Sequence, residues 1–165
     1  MDVASSAIFG RVQAMIESKG LSIVAKDDAR PWGGFFVIDE TQAAQFIKTF
    51  FPDEDAAALT QRKVSPKILI VAPGKRLSWQ YHHRRAELWR VIDGPVKVMR
   101  NLEDAETEPA DYATGDVVRL AQGERHRLIG AETYGIVAEI WQHTDHENPS
   151  NEDDIIRLQD DFGRR

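Results

Sequence analysis

The spacing of apolar residues along this chain changes at about residue 67. Ahead of it, Ile8, Val12, Met15 and Ile16 fall on one face of a helix expected over 5–19, with Ser5 or Ser6 as its cap and Gly20 at its end. Leu21 to Val24 reads as a short strand, Pro31, Gly33 and Gly34 mark a turn, and Phe35 to Ile38 reads as a second strand. After Thr41, the residues Ala44, Ile47, Phe50 and Phe51 give another helical face, which Pro52 ends. The run DEDAAALTQR reads as a further helical turn or two. From Lys67 onward the pattern is that of strands. Ile68 to Val71, Leu77 to Tyr81, Leu88 to Ile92, Val96 to Met99, Val117 to Leu120, His126 to Ile129 and Tyr134 to Gln142 are short and separated by turns such as Pro73–Gly74 and Asp93–Gly94. Residues 101–115 read as a polar connection with one edge strand, and the tail, NPSNEDDIIRLQDDFGRR, as polar with a small apolar insert. The fold expected is mostly β, a jelly-roll-like barrel or sandwich preceded by short helices.

With 165 residues the chain fits one domain. Residues 1–62 form a helical and extended segment packed on it, 65–145 the barrel core and 146–165 the tail. Its 42% hydrophobic and 29% charged residues are ordinary for a globular protein. A net charge of −6 argues against nucleic acid as partner, although a local Arg/Lys cluster can still take an anionic substrate. Without cysteine, the fold rests on no disulfide and no thiol serves as ligand or nucleophile. The N-terminus lacks the cationic start and apolar block of a signal peptide, and no stretch approaches the roughly 20 apolar residues that cross a bilayer. A cytoplasmic protein that meets no membrane is expected.

The candidate chemistry lies in two runs. GKRLSWQYHHRRAELWRVIDG (74–94) carries Gln80, His82 and Glu87, and GDVVRLAQGERHRLIG (115–130) carries His126. Side chains alternate across a strand, so Gln80 and His82 point the same way. Arg84 continues that parity, so the chain must bend before Glu87 for its carboxylate to join them. Glu87 opens an apolar run, and a carboxylate entering such a strand needs a partner, for which a metal is the economical choice. One amide oxygen, two imidazoles and a carboxylate suit zinc, iron, manganese, cobalt or nickel. The spacing resembles the two motifs of a cupin, a small β-barrel that holds one metal ion, with Ala121 and Gly130 in place of the usual Pro and Asn. Many metal cupins have His where Gln80 stands; the neutral donor points to Lewis-acid chemistry rather than to a dioxygenase. His83 has the wrong parity for the metal side, and His143 and His146 lie in a polar loop expected to be exposed.

A narrower resemblance follows. PGKRLSWQYHHRRAELW is similar to the C-terminal domain of type II phosphomannose isomerases, with Pro73, Gly74, Leu77, Ser78, Gln80, His82, Arg85, Glu87 and Trp89 matching. Arg30 to Gly33, Lys67, Gly123, His126 to Leu128 and the ending from Glu152 also match, so that the likeness covers 30–39 and 65–165. Leu88 departs from it, since the family usually has His there. The resemblance implies a metal-dependent aldose–ketose isomerase of a sugar phosphate, interconverting mannose 6-phosphate and fructose 6-phosphate through a cis-enediol. It implies one divalent ion, zinc first, held by Gln80, His82, Glu87 and His126. The proton would be moved by Lys67, by Glu139 or by a metal-bound water, and the phosphate bound by Arg85, Arg30 and Arg127. A homodimer is expected, as cupins often pair. Two alternatives stand beside it: a non-catalytic cupin that binds a sugar or sugar phosphate, and an isomerase of a free sugar such as lyxose or mannose. The chain shows no Gly-rich nucleotide loop, so sugar-nucleotide synthesis is not expected.

Overall fold

The computed structural model describes residues 2–164. Helix α1 (Val3–Ser18) is capped by Asp2, whose carboxylate accepts from the Ser5 amide at 2.7 Å, so the helix starts ahead of the serines that the sequence suggests as caps. It ends at Gly20, whose φ of 75° suits glycine. Strands β1 (Ile23–Arg30) and β2 (Gly33–Ile38) form a hairpin across Pro31 and Trp32. β1 runs well past the expected Val24. Its polar residues give no apolar signal, and its order comes from the backbone ladder to β2. Helices α2 (Ala43–Phe50) and α3 (Ala56–Leu59) follow. Then come β3 (Lys67–Val71), β4 (Trp79–Tyr81), β5 (Arg85–Asp93), β6 (Val96–Asn101), β7 (Ala110–Tyr112), β8 (Val117–Leu120), β9 (Arg125–Gly130), β10 (Gly135–His143) and β11 (Ile156–Gln159).

These strands make two antiparallel sheets, ordered β1-β2-β3-β10-β5-β8 and β11-β4-β9-β6-β7, the two-sheet layout of a jelly roll. The six-stranded sheet is covered on both faces. On one, Phe9, Val12, Ile16, Phe46 and Phe50 of the helices pack with Phe36, Ile68, Leu88, Ala138 and Ile140. On the other, Leu69, Trp89, Val91 and Val137 meet Val96, Val98 and Leu128 of the five-stranded sheet. Double coverage explains why β3 and nearly all of β10 are buried residue by residue rather than alternately. The space between the sheets is apolar at one end. At the other, the inward positions of β3, β5 and β10 become Lys67, Arg85, Glu87 and Glu139, and a cavity opens there.

The tail, expected to be polar with a small apolar insert, contributes an edge strand. β11 pairs with β4, placing Ile156 opposite Tyr81 and Arg157 opposite Gln80. Among the described residues no helix is long and apolar enough to cross a membrane.

Gly33 holds the hairpin against β3: its φ is 143°, and a Cβ there would sit 2.0 Å from the Ile70 carbonyl oxygen. Gly33→Ala is expected to cost at least about 1–3 kcal/mol, read as a lowered denaturant midpoint at unchanged slope.

Candidate active site

Three side chains converge inside the polar end. His82 follows β4, Glu87 lies on β5 and His126 on β9; all three are buried, and their ligand atoms lie within 4.8 Å of one another. Glu87 Oε1 stands 3.2 Å from His126 Nε2, and Glu87 Oε2 stands 3.4 Å from His82 Nε2. Each imidazole uses its other nitrogen outward. His82 Nδ1–H donates to the Asp154 carbonyl at 2.7 Å, and His126 Nδ1–H to the Glu124 carbonyl at 2.9 Å. That fixes both rings with an Nε2 lone pair turned toward Glu87. Glu87 Oε1 and His126 Nε2 have no hydrogen-bond partner although both are buried.

These observations fit a divalent cation. Ligand atoms about 2.1 Å from a common centre lie roughly 3.0–3.4 Å apart, and the two measured separations fall in that range. Gln80 pairs directly with His126 across β4 and β9. Its Nε2 lies 3.5 Å from His82 Nε2, while its Oε1 accepts from Ser78 Oγ. Half a rotation of the amide presents Oε1 to the cluster and lets Ser78 Oγ accept instead.

The bend that the spacing demands between His82 and Glu87 has a specific fastening. Asp154, buried, accepts from the backbone amides of His83 and Arg84 at 2.9 and 3.0 Å and from Ser150 Oγ at 2.6 Å. Burial would raise its pKa, but these hydrogen bonds outweigh it and hold the carboxyl at about 2. One residue of the tail thus orients His82 through its carbonyl and shapes the following turn through its side chain.

Arg85 flanks the cluster. Its Nε–H donates to Glu87 Oε2 at 2.8 Å, its Nη2 points at His82 Nε2 at 3.2 Å, and its Nη1 reaches Ser150 Oγ and the Asn151 carbonyl. The guanidinium carbon stacks 3.6 Å from the Trp141 ring centre. Burial pushes Glu87 up, yet its partners, the Arg85 charge foremost, outweigh it and keep its carboxyl well below the usual range. His82 is pushed down to about 4, by burial first, with the Arg85 charge acting the same way and Glu87 opposing.

Beyond the cluster the cavity has a volume of about 340 Å³. Glu139 stands opposite both Lys67 and Trp89 in the sheet ladder. Its oxygens accept from the indole N–H groups of Trp89 and Trp141 at 2.8 and 2.9 Å. Burial, and then the charge of Glu87, push its pKa up to about 7 against the pull of Lys67 and Arg85. Lys67 Nζ is paired with Glu152 of the tail and lies 4.2 Å from the Trp141 ring centre. Arg30 also lines the cavity, held by Asp27 at 2.9 Å.

The structure gathers Gln80, His82, Glu87, Arg85, Lys67, Glu139 and Arg30 at this end, and places Arg127 elsewhere. Since His126 points inward on β9, its neighbour Arg127 points outward. There it is fully buried, donating to the Leu77 and Gln159 carbonyls and to Glu106. Arg127, expected to bind substrate, thus fastens β9 to neighbouring segments and does not line the cavity. His143 is likewise not an exposed loop residue. It is buried, accepts from the Ser150 amide at Nδ1 and meets Ser65 Oγ at Nε2. Leu88, where the resemblance expects His, faces the helices and not the cavity. The residues that sequence reasoning passed over are Asp154, Arg157 and Arg164, all in the tail. All three fall within the ending from Glu152, where the sequence offers a resemblance and no local spacing rule.

Asp154→Ala is expected to lower zinc affinity by roughly 10–100-fold, measured by competition with a chromogenic chelator, with the ligands themselves untouched.

Three comparisons bear on this geometry. Residues 59–160 match the family described as mannose-6-phosphate isomerase C-terminal, more than half of the chain. The xanthan biosynthesis protein XanB of Xanthomonas campestris is 30% identical over 135 residues, 82% of this chain and 23% of that protein. The chain therefore spans under a quarter of that relative's length. The capsular polysaccharide assembling protein CapF of Staphylococcus aureus shares the fold, with a TM-score of 0.53 at 16% identity over 84% of this chain and 32% of that one. With the cupin arrangement of its sheets and the match over most of its strands, the chain belongs to the mannose-6-phosphate isomerase C-terminal family.

Proposed function

We propose that the domain is a metal-dependent aldose–ketose isomerase acting on a sugar phosphate, with mannose 6-phosphate and fructose 6-phosphate as the pair. The observation that carries the reading is the juxtaposition, in one cavity, of the His82–Glu87–His126 cluster with a buried carboxyl whose pKa lies near neutrality. Gln80, His82, Glu87 and His126 would hold the cation, zinc first, and the bound ion would supply Lewis-acid stabilisation of negative charge on the sugar oxygens.

The protein's own groups supply the proton chemistry. Moving the carbonyl from C1 to C2 takes a proton from C2 and returns one to C1, while a proton passes from O2 to O1. Glu139 is suited to the carbon step, since a base is most effective when its pKa lies near the working pH. The two indole donors fix the plane of its carboxylate, and each oxygen keeps a lone pair for the proton. Lys67, its ladder neighbour, lines the same cavity and would donate to a sugar oxygen. Arg85 holds Glu87 and His82 in place. Trp32, Phe35 and Leu77 give the cavity apolar walls against which sugar C–H groups pack.

In deuterated water, metal-loaded protein is expected to place deuterium at C1 or C2 of mannose 6-phosphate. Sugar binding without exchange would instead mark a non-catalytic binding domain. Faster exchange into free mannose or lyxose would mark an isomerase of unphosphorylated sugars.

Glu139→Gln is expected to lower turnover by roughly 10²–10⁴-fold. In the wild type, kcat/KM rises with pH through about 7, where Glu139 loses its proton and becomes the base. Stability moves the other way. Because its folded pKa lies above the ordinary 4.5, the native state retains a proton that the unfolded chain has lost. Its stability therefore falls as pH rises from about 4.5 to about 7, a slope that Glu139→Gln removes from thermal melts.

A further inference from the structure

We infer that His143 is a positioning residue for the cation cluster, acting through Ser150 on Arg85 and on the Asp154 carbonyl that holds His82. The inference rests on the reading of His82, Glu87 and His126 as a cation site.

Strand parity brings His143 to this end of the molecule. Along β10 the residues Glu139, Trp141 and His143 alternate onto one face, opposite Trp89, Glu87 and Arg85 of β5. Glu139 and Trp141 line the cavity, so His143 is the last inward side chain of the strand, one ladder pair beyond Glu87. It is 4% exposed. Its ring stands edge-on to Trp141, whose face carries the Arg85 guanidinium.

The hydrogen bonds of the ring settle its tautomer. The Ser150 amide donates to Nδ1 at 2.9 Å, so Nδ1 holds a lone pair and the proton of the neutral ring sits on Nε2. Nε2–H donates to Ser65 Oγ at 3.0 Å. Ser65 is therefore not an activated nucleophile, because the nitrogen it meets has no lone pair for its proton. Burial first, and then the charges of Lys63, Arg85 and Arg84, push the His143 pKa down to about 4, with Asp154 opposing, which keeps the ring neutral at ordinary pH.

Ser65 is held for this contact. Its φ of 51° is left-handed, a conformation that suits glycine and is strained for serine. The Glu40 carboxylate fixes it by accepting from the Val64 and Ser65 amides at 2.7 and 2.9 Å. Strain of this kind persists where the surroundings over-determine the backbone, and here it presents Oγ to the imidazole.

Ser150 carries the fastening to the cluster. Residues 144–149 are exposed and Ser150 is buried, so its bond to His143 marks where the tail re-enters the interior. Ser150 Oγ accepts from Arg85 Nη1–H at 2.9 Å and donates to Asp154 Oδ2 at 2.6 Å. Arg85 in turn holds Glu87 Oε2, and the Asp154 carbonyl holds His82 Nδ1–H. Two of the three clustered groups thus depend on where Ser150 stands. Coordination distances tolerate about 0.2 Å, so a loosened Ser150 weakens the site without removing a ligand.

The test measures cobalt(II) affinity, by chelator competition, and visible absorption on the full chain for the parent, His143→Leu, His143→Asn and Ser65→Gly. Leucine removes the acceptor at Nδ1, whereas the amide oxygen of asparagine returns one near the same place. Glycine suits the backbone of residue 65 and removes only the hydroxyl contact. His143→Leu is expected to lower affinity by about tenfold or more and to shift the bands. His143→Asn is expected to restore both, and Ser65→Gly to lower affinity although the chain folds as before. His143→Leu that keeps the parent's affinity and bands, or His143→Asn that loses as much as His143→Leu, would overturn the inference. If His143→Leu does not fold, Ser65→Gly decides: a loss of affinity supports the inference, and the parent's affinity and bands overturn it. Parent protein that binds no cobalt would sink the cation reading and this inference together, whereas cobalt bound equally by parent and variants would sink this inference alone.

Discussion

Two imidazole lone pairs and a carboxylate oxygen, buried together within 4.8 Å, repel one another unless positive charge lies among them. Much of this end of the molecule is arranged to impose that convergence. His82 and His126 are fixed by carbonyls on their far sides, so neither ring relieves the strain by turning. Arg85 compensates one oxygen of Glu87, while the other faces His126 with no hydrogen-bond donor. A mixed nitrogen and oxygen donor set with one unsatisfied carboxylate oxygen suits a divalent cation.

The layered fold makes such a site affordable. The six-stranded sheet is stabilised from both sides, by helices on its outer face and by aliphatic packing at the apolar end of the interior. The remaining end can then hold titratable groups whose burial is unfavourable by itself. Burial also tunes them apart: Glu87, beside Arg85 and the imidazoles, stays ionised, whereas Glu139, among indoles and near that negative charge, is drawn toward neutrality. Two carboxylates of one cavity thereby differ in the way that the proposed roles of ligand and base require.

Local rules made the centre of the site legible. Alternation along β4, the need for a bend before Glu87 and the Gly-rich frame around His126 all follow from spacing. The same parity, applied to β9, assigns Arg127 to the outer face, where the structure has it. What stayed hidden depends on contacts distant in sequence. β1 is polar and becomes a strand because β2 pairs with it. His143 is buried by Ser65 and Ser150, which come from separate loops. In β11 the exposed positions are the apolar Ile156 and Leu158 and the half-buried ones are Arg157 and Gln159, the reverse of the usual pattern, so its pairing with β4 leaves no mark on its own sequence. Asp154 is in the same position, since its partners lie about seventy residues earlier.

The most direct measurement is titration of chelator-stripped protein with cobalt(II), followed by visible absorption, beside His126→Ala. One equivalent per chain should bind the parent protein, with ligand-field bands of a nitrogen- and oxygen-donor site, and the variant should lose those bands. Protein that takes up no cobalt, or a variant that keeps the same spectrum and stoichiometry, would contradict the account.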